Sequence, residues 1–214
     1  MGTLGKPLTW LALSLLAAAI FVALLVARVM SPQLATTAGS TPAASGLSAD
    51  IVIPASSMPS PDFTLEDQAG QPVSVSALRG RVLAITFLDS HCKQLCPLEG
   101  DQLGQAQRAL GAASKLSLLV VSVAPATDTP ASERAFAAAH QWSGDWHWLS
   151  GTADQLAQVW KAYSIAVQGT PDNVLHSTVL YLVDKEGFER AGWAGPIEPA
   201  LLARDVRFLN ASGT

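Results

Sequence analysis

The sequence predicts an α/β domain over residues 58–214, in which buried strands alternate with amphipathic helices. Residues 82–88 and 116–123 are uncharged and rich in aliphatic side chains, as expected for strands that are buried on both faces of a sheet. Each of them is followed by a segment with the apolar spacing of a helix. Because strands separated by helices usually pair in parallel, the sequence predicts a central sheet with helices on its faces.

Capping patterns mark the starts of two further helices. Thr129 precedes Pro130, which is the arrangement of an N-cap followed by a proline at the first helical position. Thr152 and Gln155 form a capping-box pattern ahead of an apolar helical face. That face consists of Leu156, Val159, Trp160 and Tyr163, and the last helix carries Leu202, Val206 and Leu209 on its apolar side.

Two hairpins complete the predicted fold. Residues 62–65 and 73–75 flank a glycine-containing turn, and so do residues 178–184 and 188–193. The second pair lies late in the chain and is expected to form an antiparallel hairpin at one edge of the sheet. The element order β-α-β-α-β-α-β-β-α therefore predicts a thioredoxin-like fold, with a central mixed sheet flanked by helices and an N-terminal β-hairpin addition.

The first 30 residues predict a single transmembrane helix. No charge lies between Lys6 and Arg28, and residues 7–27 span roughly 30 Å at about 1.5 Å per residue. The apolar part of a signal peptide is shorter, at about 7–15 residues, so we interpret residues 1–30 as an uncleaved anchor with a short cytoplasmic tail. Cleavage near residues 35–38 is the alternative. The expected location is a bacterial inner (cytoplasmic) membrane, single-pass, with the C-terminal domain in the periplasm or outside the cell.

Residues 31–57 predict a flexible linker, because they are rich in Ser, Thr, Ala, Pro and Gly and show no periodic apolar face. The chain is thus divided into an anchor over 1–30, a linker over 31–57 and a folded domain over 58–214. The formal net charge of -4 and the absence of a basic run argue against nucleic acid as a partner.

The chain contains two cysteines, Cys92 and Cys96, and they stand between the strand at 82–88 and a helix predicted from Leu98 to about Leu110. If both lie on the first turn of a helix, positions i and i+4 share one face and the two sulfurs converge. Two soft thiolates suit Cu(I), and two thiols can close a disulfide. A purely structural disulfide would constrain the unfolded chain little, because the loop it closes is short.

Among the four histidines, His176 stands just before the first strand of the late hairpin, which in a thioredoxin-like fold abuts the cysteine turn. A neutral imidazole there can complete a three-coordinate set with two thiolates. His91 adjoins Cys92, but residues i and i+1 do not share a helical face, so we interpret it as an entrance residue.

Other polar and aromatic residues have structural interpretations. His140 and His147 are expected at the surface or in packing, and Asp128 is expected to be a turn residue before the Thr129 cap. Three tryptophans are expected to pack the domain or form a partner-facing patch, namely Trp142, Trp146 and Trp148.

Three motifs together resemble the Sco/SenC family: Cys92-x-x-x-Cys96-Pro97, Asp128-Thr129-Pro130, and His176-Ser177 followed by Tyr181-Leu182-Val183-Asp184. Proteins of that family are membrane-tethered, thioredoxin-fold copper proteins that help to assemble the Cu(A) centre of cytochrome c oxidase. The resemblance implies a copper ion bound by Cys92, Cys96 and His176. The chain departs from the family pattern at Ala124-Pro125 and at residues 88–91, and these departures concern the docking surface and hence the client.

Three functions compete. The first, which we favour, is a metallochaperone that is not an enzyme. Its expected client is the copper-site subunit of cytochrome c oxidase, and a thiol reductant or another copper donor is a further expected partner. The second is a thiol–disulfide oxidoreductase in which Cys92 attacks and Cys96 resolves. Against it stand the C-x-x-x-C spacing and the lack of a proline directly before the hairpin strand, since Pro171 lies five residues before His176. The third is a peroxiredoxin-type peroxidase, which would have Thr where this chain has Asp89.

Overall fold

The computed structural model describes residues 46–111, 113–170 and 173–212, which form a mixed sheet between two layers of helices. The strands are β1 (Ile51–Val52), β2 (Thr64–Glu66), β3 (Pro72–Ser74), β4 (Val82–Leu88), β5 (Leu116–Ser122), β6 (Asp145–Leu149), β7 (Val167–Thr170), β8 (Asn173–His176), β9 (Leu180–Val183) and β10 (Glu189–Trp193). The helices are α1 (Leu95–Leu110), α2 (Pro130–Ala139), α3 (Ala153–Ala162) and α4 (Pro199–Ala211). A short 3-10 turn covers Ser76–Leu78.

The six-stranded sheet has the order β1-β10-β9-β4-β5-β6. Strands β4, β5 and β6 run parallel, whereas β9 pairs antiparallel with both β4 and β10. The mixed sheet confirms the predicted fold class. The late hairpin is β9–β10, but it does not form the edge, because β1 pairs antiparallel with the outer side of β10. The early hairpin is β2–β3, a separate two-stranded sheet.

Strand β1 corrects the predicted extent of the linker. Ile51 pairs with Gly192 of β10, and Leu47 is 8% exposed within the core. The Ser48 backbone N–H donates to Asp205 Oδ2 of α4 over 2.7 Å. Residues 47–53, which lie within the predicted linker, are therefore packed on the domain, because they bury Leu47, satisfy the buried Asp205 carboxylate and pair with β10.

The predicted anchor and the first part of the predicted linker lie outside the described residues. Within residues 46–111, 113–170 and 173–212, none of the helices has the length and apolar character that a membrane crossing requires.

Both faces of the sheet are buried, which explains the continuous apolar strands. In β4, Val82 and Ala84 face one core with Leu103 of α1 and Leu202 of α4. The alternate residues of β4 face a second core, which includes Leu83, Ile85 and Phe87 from this strand and Leu156 and Val159 from α3. All seven residues of β4 and all seven of β5 are buried, as the uncharged runs predict.

Both capping predictions are confirmed. The Thr129 side chain accepts a hydrogen bond from the Ser132 backbone N–H at the start of α2, with Pro130 in the first turn. The Thr152 side chain accepts from the Gln155 backbone N–H at the start of α3, and the Thr152 backbone N–H donates to the Gln155 side chain in return. These caps satisfy backbone donors that the first helical turn leaves without partners.

Helix α1 begins at Leu95, three residues before the predicted start at Leu98 and three residues after Cys92. The two cysteines therefore do not share a helical turn, since Cys92 lies in the preceding turn and Cys96 is the second helical residue. Pro97 gives the physical reason. A helix that included Lys93 would place the proline ring against the Lys93 carbonyl and would lose the bond between residues 97 and 93.

Candidate metal centre

Cys96 lies on the first turn of α1 and is 1% exposed. Its Sγ lies 3.6 Å from the Nε2 of His176. Burial raises the pKa of the Cys96 thiol above its usual range, and the neighbouring Cys92 thiol adds to the rise, while a hydrogen bond from the Asp89 backbone opposes it. The metal-free site therefore holds Cys96 as a neutral thiol, and a bound cation would favour the thiolate.

Cys92 lies in the turn between β4 and α1 and is half-buried. Its backbone N–H donates to the Asp89 carbonyl over 3.2 Å, which closes a tight turn directly after β4. Both cysteines are free thiols. A half-buried thiol in the turn and a buried thiol at the start of α1 thus follow the carboxyl end of a central strand.

His176 is the last residue of β8 and is half-buried. Its Nδ1 lies 2.9 Å from the Ser177 carbonyl oxygen. Because a carbonyl only accepts, Nδ1 must carry the proton in the neutral ring, and Nε2 then turns its lone pair toward Cys96 Sγ. An orienting bond on one nitrogen that leaves the other free is typical of metal-binding histidines.

The hairpin β7–β8 that carries His176 is absent from the predicted elements. Its two four-residue strands pair from Val167 with His176 to Thr170 with Asn173, and most of their residues are exposed. Short, exposed strands give no alternating apolar pattern to detect. The prediction that His176 meets the cysteine turn is nevertheless confirmed by the distance to Cys96.

A buried carboxyl group lies one helical turn beyond Cys96. Glu99 is 4% exposed, and its Oε2 has no hydrogen-bond partner among the described residues. Its Oε1 meets the hydroxyl of Thr86 in β4, and that hydroxyl also lies 3.2 Å from the Val179 carbonyl oxygen. Burial raises the pKa of Glu99 to about 7.

A protonated Glu99 is consistent with the two contacts of the Thr86 hydroxyl. The Thr86 hydroxyl has a single hydrogen, and Val179 offers only an acceptor, so Thr86 can donate to Val179 while it accepts from Glu99. The chain from Glu99 through Thr86 to Val179 then joins α1, β4 and the segment before β9. The sequence analysis did not identify Glu99. Its position three residues after Cys96, on the same helix face, was the signal that could have done so.

Asp128 is the best-connected carboxylate near the cysteine turn. Its Oδ1 accepts from the Ser90 backbone N–H at 2.9 Å and from the Ser90 hydroxyl at 2.6 Å, and its Oδ2 accepts from Ser122 at 2.5 Å. Burial raises the pKa of the Asp128 carboxyl, against the opposing effect of the Ser122 and Ser90 bonds. Asp128 is therefore more than a turn residue, because it fixes the turn that carries Cys92.

His91 lies beside this network. Its Nδ1 is 3.0 Å from the Ser90 hydroxyl and 4.0 Å from Asp128 Oδ1, and its side chain is 55% exposed. One potential ligand atom from each of Asp89, His91 and Asp128 falls within 4.8 Å of the other two. His91 therefore lies at the exposed side of the cysteine turn, as its interpretation as an entrance residue requires.

The remaining histidines lie away from the cysteines, as predicted. His140 Nδ1 is 2.7 Å from Asp101 Oδ1, and its ring packs against Phe136 with 4.3 Å between the ring centroids. His147 lies between Asp67 and Asp145, at 3.0 and 3.1 Å. The packing interpretation of the tryptophans is confirmed for two that are buried and stacked, Trp142 and Trp148.

A family comparison matches most of the chain. The model of the SCO1/SenC family matches residues 54–209. The SCO1 protein homolog of Bacillus subtilis is 30% identical over 131 residues, which cover 58% of this chain and 68% of that protein. Several other curated relatives are longer, and the matched part spans only 44%, 45%, 50% and 52% of their own length.

Solved structures share the fold. The structure of Bradyrhizobium japonicum ScoI with copper bound has a TM-score of 0.62 and 26% identity, and it covers 71% of this chain and 99% of that chain. BsSco, a member of the Sco family of cytochrome c oxidase assembly proteins in which a disulfide switch was identified, has a TM-score of 0.63 and 25% identity. The match covers 76% of this chain and 99% of BsSco. The thioredoxin-like arrangement of a mixed sheet with flanking helices is therefore common to these proteins and to this chain.

Proposed function

Because the chain belongs to the SCO1/SenC family, we propose that it is a copper metallochaperone in which Cys92, Cys96 and His176 hold copper as cargo. The cargo is passed to the copper-site subunit of cytochrome c oxidase for assembly of its Cu(A) centre. The protein turns over no substrate in this role.

The observation that carries this proposal is the approach of Cys96 Sγ to His176 Nε2, at 3.6 Å. Nε2 offers a free lone pair because Nδ1 donates to the Ser177 carbonyl. A thiolate and a neutral imidazole at this separation are suitable ligands for one soft or borderline ion. Cys92, four residues before Cys96 and in the turn that leads into helix α1, supplies the second sulfur.

The exposure of the three proposed ligands suits transfer of copper better than permanent storage of copper. Cys96 is buried and His176 is half-buried, whereas Cys92 lies at the accessible side of the turn. An incoming ligand from a partner can reach copper by displacing Cys92 while Cys96 and His176 still hold it. Ligand exchange of this kind at a three-coordinate copper site keeps the ion bound throughout, so it is never released into water.

The location forms part of the proposal. We place residues 1–30 across a bacterial inner membrane as a single anchor, with the folded domain on the outer side. The uncharged segment at 7–27 supports this placement. Copper-bound relatives and relatives named for cytochrome c oxidase assembly support the cargo and the client.

A complementation experiment tests the function. The gene is deleted and replaced by wild type, by His176→Ala or by His140→Ala, and cytochrome c oxidase activity is measured at low and at high copper. The wild type and His140→Ala should restore activity at low copper, whereas His176→Ala should do so only with added copper. Full activity of His176→Ala at low copper would contradict the proposal.

A second function is favoured by one specific observation. Cys92 is half-buried, Cys96 is buried, and both are free thiols, so the more exposed Cys92 suits the attacking role and Cys96 the resolving role. As a thiol–disulfide oxidoreductase, Cys92 would attack a client disulfide and form a mixed disulfide. Cys96 would then attack Cys92, releasing the client as a dithiol and leaving this protein oxidised.

The two functions make different demands on His176. Reduction of a peptide that carries the client's two copper-binding cysteines requires Cys92 and Cys96 but no imidazole ligand. A His176→Ala variant that keeps this reductase rate but fails to restore oxidase activity supports metal delivery. A variant that restores oxidase activity fully would favour the redox function.

A further inference from the structure

A cavity of about 530 Å³ lies over strands β1, β9 and β10. The segment before β2 and the end of α3 form its sides. Its size falls within the range of about 300–1,000 Å³ that is usual for small-molecule sites. The residues that line it include none of the proposed copper ligands, so an inference drawn from the cavity does not depend on the copper function.

Gly192 creates the hollow, because it stands between two large side chains. Ile51 of β1 pairs with Gly192 of β10, and Gly192 pairs with Tyr181 of β9. Directly paired residues place their side chains on the same face of a sheet. A Cβ atom at Gly192 would lie 3.9 Å from Ile51 Cβ and from the Leu180 carbonyl oxygen, and the φ of Gly192 is outside the left-handed region. The space that a side chain would ordinarily fill is therefore open between Ile51 and Tyr181.

The walls of the cavity are apolar and aromatic. Tyr163 and Tyr181 meet edge to face, with 5.4 Å between their ring centroids. Tyr163 donates its hydroxyl hydrogen to the Pro61 carbonyl, and Tyr181 donates to the Tyr163 carbonyl, each over 2.8 Å. The two tyrosines therefore offer an occupant their rings, since their hydroxyl hydrogens are already used. The remaining apolar wall includes Ile53 and Met58.

One charged side chain lines the cavity. Glu189, the first residue of β10, is 5% exposed. Within the described part of the chain its carboxyl group takes part in no hydrogen bond and no ion pair, and the adjacent Arg190 is directed to Asp184 at 3.3 Å. The side-chain atoms that are both sealed from solvent and unpartnered belong to other residues, so the Glu189 oxygens remain open to the cavity.

The carboxyl group and the two rings together favour a cation. Burial raises the pKa of Glu189, because no neighbouring positive charge compensates the ionised form. Burial also raises the pKa of Tyr163 and of Tyr181, and the nearby Glu189 charge adds to both rises. The carboxylate is thus close to both rings, and a cation is attracted by a carboxylate and by the face of an aromatic ring.

We propose that this cavity binds an amphipathic organic amine, whose ammonium group pairs with Glu189 and whose apolar part lies over Gly192 between Ile51 and Tyr181. A bare metal ion does not suit the cavity, because one carboxylate among apolar walls supplies too few oxygen ligands. A neutral apolar molecule would fill the hollow but would leave the carboxylate without a partner. The site adds a ligand-binding function to the proposed copper function.

Equilibrium dialysis of the metal-free full chain, with the same detergent in both chambers, tests the proposal. The probes are naphthylethylamine and naphthylethanol, which share their shape and differ in the ammonium group. We expect one amine to bind per chain with a dissociation constant of about 1 mM or tighter. The alcohol should bind about tenfold more weakly, because it cannot form a charged hydrogen bond with Glu189.

Three variants separate the parts of the site. Glu189→Gln should weaken binding of the amine about tenfold and leave binding of the alcohol unchanged, so that the preference for the amine is lost. Gly192→Val should weaken binding of both probes, because the new side chain fills the hollow. Glu66→Gln, at an exposed residue of β2, is the charge control and should change neither affinity.

The proposal is overturned if the wild-type chain binds neither probe, binds the alcohol as tightly as the amine, or keeps its preference for the amine in Glu189→Gln. It is also overturned if Gly192→Val, folded by circular dichroism, binds both probes as tightly as wild type. If Gly192→Val does not fold, the comparison of Glu189→Gln with wild type decides, because the amide has the size of the carboxyl group that it replaces.

Discussion

Cys96 and His176 are 80 positions apart in the sequence, yet Cys96 Sγ lies 3.6 Å from His176 Nε2. Two elements bring them together at the carboxyl end of β4. Helix α1 starts there and buries Cys96 in its first turn, and β8 ends there with His176. The carboxyl ends of parallel strands are the usual place for ligand sites in α/β sheets.

His176→Ala should lower copper affinity and leave the fold intact. The histidine is half-buried on an exposed hairpin, so its removal should change the free energy of unfolding by less than about 1 kcal/mol. Competition with a copper chelator and urea unfolding of the metal-free protein measure the two quantities. His140→Ala is the control for affinity. If the variant is mostly unfolded and its folded fraction still binds copper with normal affinity, then His176 has a structural role and is not a ligand.

Cys92 should react with iodoacetamide faster than Cys96, by about tenfold or more. Cys92 is half-buried, whereas Cys96 is 1% exposed and burial raises the pKa of its thiol. Thiolates are the reactive form, so the buried neutral thiol is protected. Timed alkylation of the reduced protein at pH 7.5, read by peptide mass spectrometry, gives both rates. Equal rates, or faster labelling of Cys96, would contradict the described burial.

Oxidation of Cys92 and Cys96 to a disulfide should abolish copper binding by the sulfur site. A disulfide offers no thiolate, and metal binding to cysteine requires the deprotonated sulfur. The charge-transfer band of the copper-loaded protein should be absent after oxidation and should return on reduction. An oxidised protein that binds copper as tightly as the reduced one would remove both cysteines from the ligand set.

Glu99 should make the metal-free protein less stable as the pH rises from about 5 to 7. The folded pKa of about 7 lies above the ordinary value of 4.5, so in this window the folded state holds a proton that the unfolded state has lost. At about 1.4 kcal/mol per pKa unit, the free energy of unfolding falls by about 3 kcal/mol above pH 7. Stability falls because the ionised carboxylate is buried.

Glu99→Gln should remove this part of the pH dependence, because the amide stays neutral. Urea unfolding at pH 5 and pH 8 should show the variant gaining stability relative to wild type at the higher pH. Glu66→Gln, at an exposed residue of β2, should show no such gain. A difference between wild type and Glu99→Gln that does not grow with pH would mean that Glu99 is ionised in the fold.

The central strands, two helix starts and the cysteine pair were predictable because their signals are local. Val82–Leu88 is uncharged along its whole length, Thr129 and Thr152 precede clear helical patterns, and the cysteine spacing is unusual. Each of these features is visible within about ten residues. The element order then predicts a mixed sheet flanked by helices, but not the edge position of β1.

The missed elements depend on contacts that are distant in sequence. Strand β1 is two residues long and exists because it pairs with β10. The buried role of Glu99 requires Thr86 and Val179 from other elements. Asp89 and Asp128 converge only after β5 returns next to β4. Such features arise from tertiary pairing, which no local pattern encodes.

X-ray absorption at the copper edge tests the central claim most directly. The reduced full-length chain is loaded anaerobically with one equivalent of Cu(I), and its spectrum is compared with those of Cys92→Ser, Cys96→Ser and His176→Ala. Two sulfur scatterers and one imidazole nitrogen are predicted, with one sulfur lost in each cysteine variant and the nitrogen lost in His176→Ala. A first coordination shell of oxygen and nitrogen alone, or one that no variant changes, would contradict copper ligation by Cys92, Cys96 and His176.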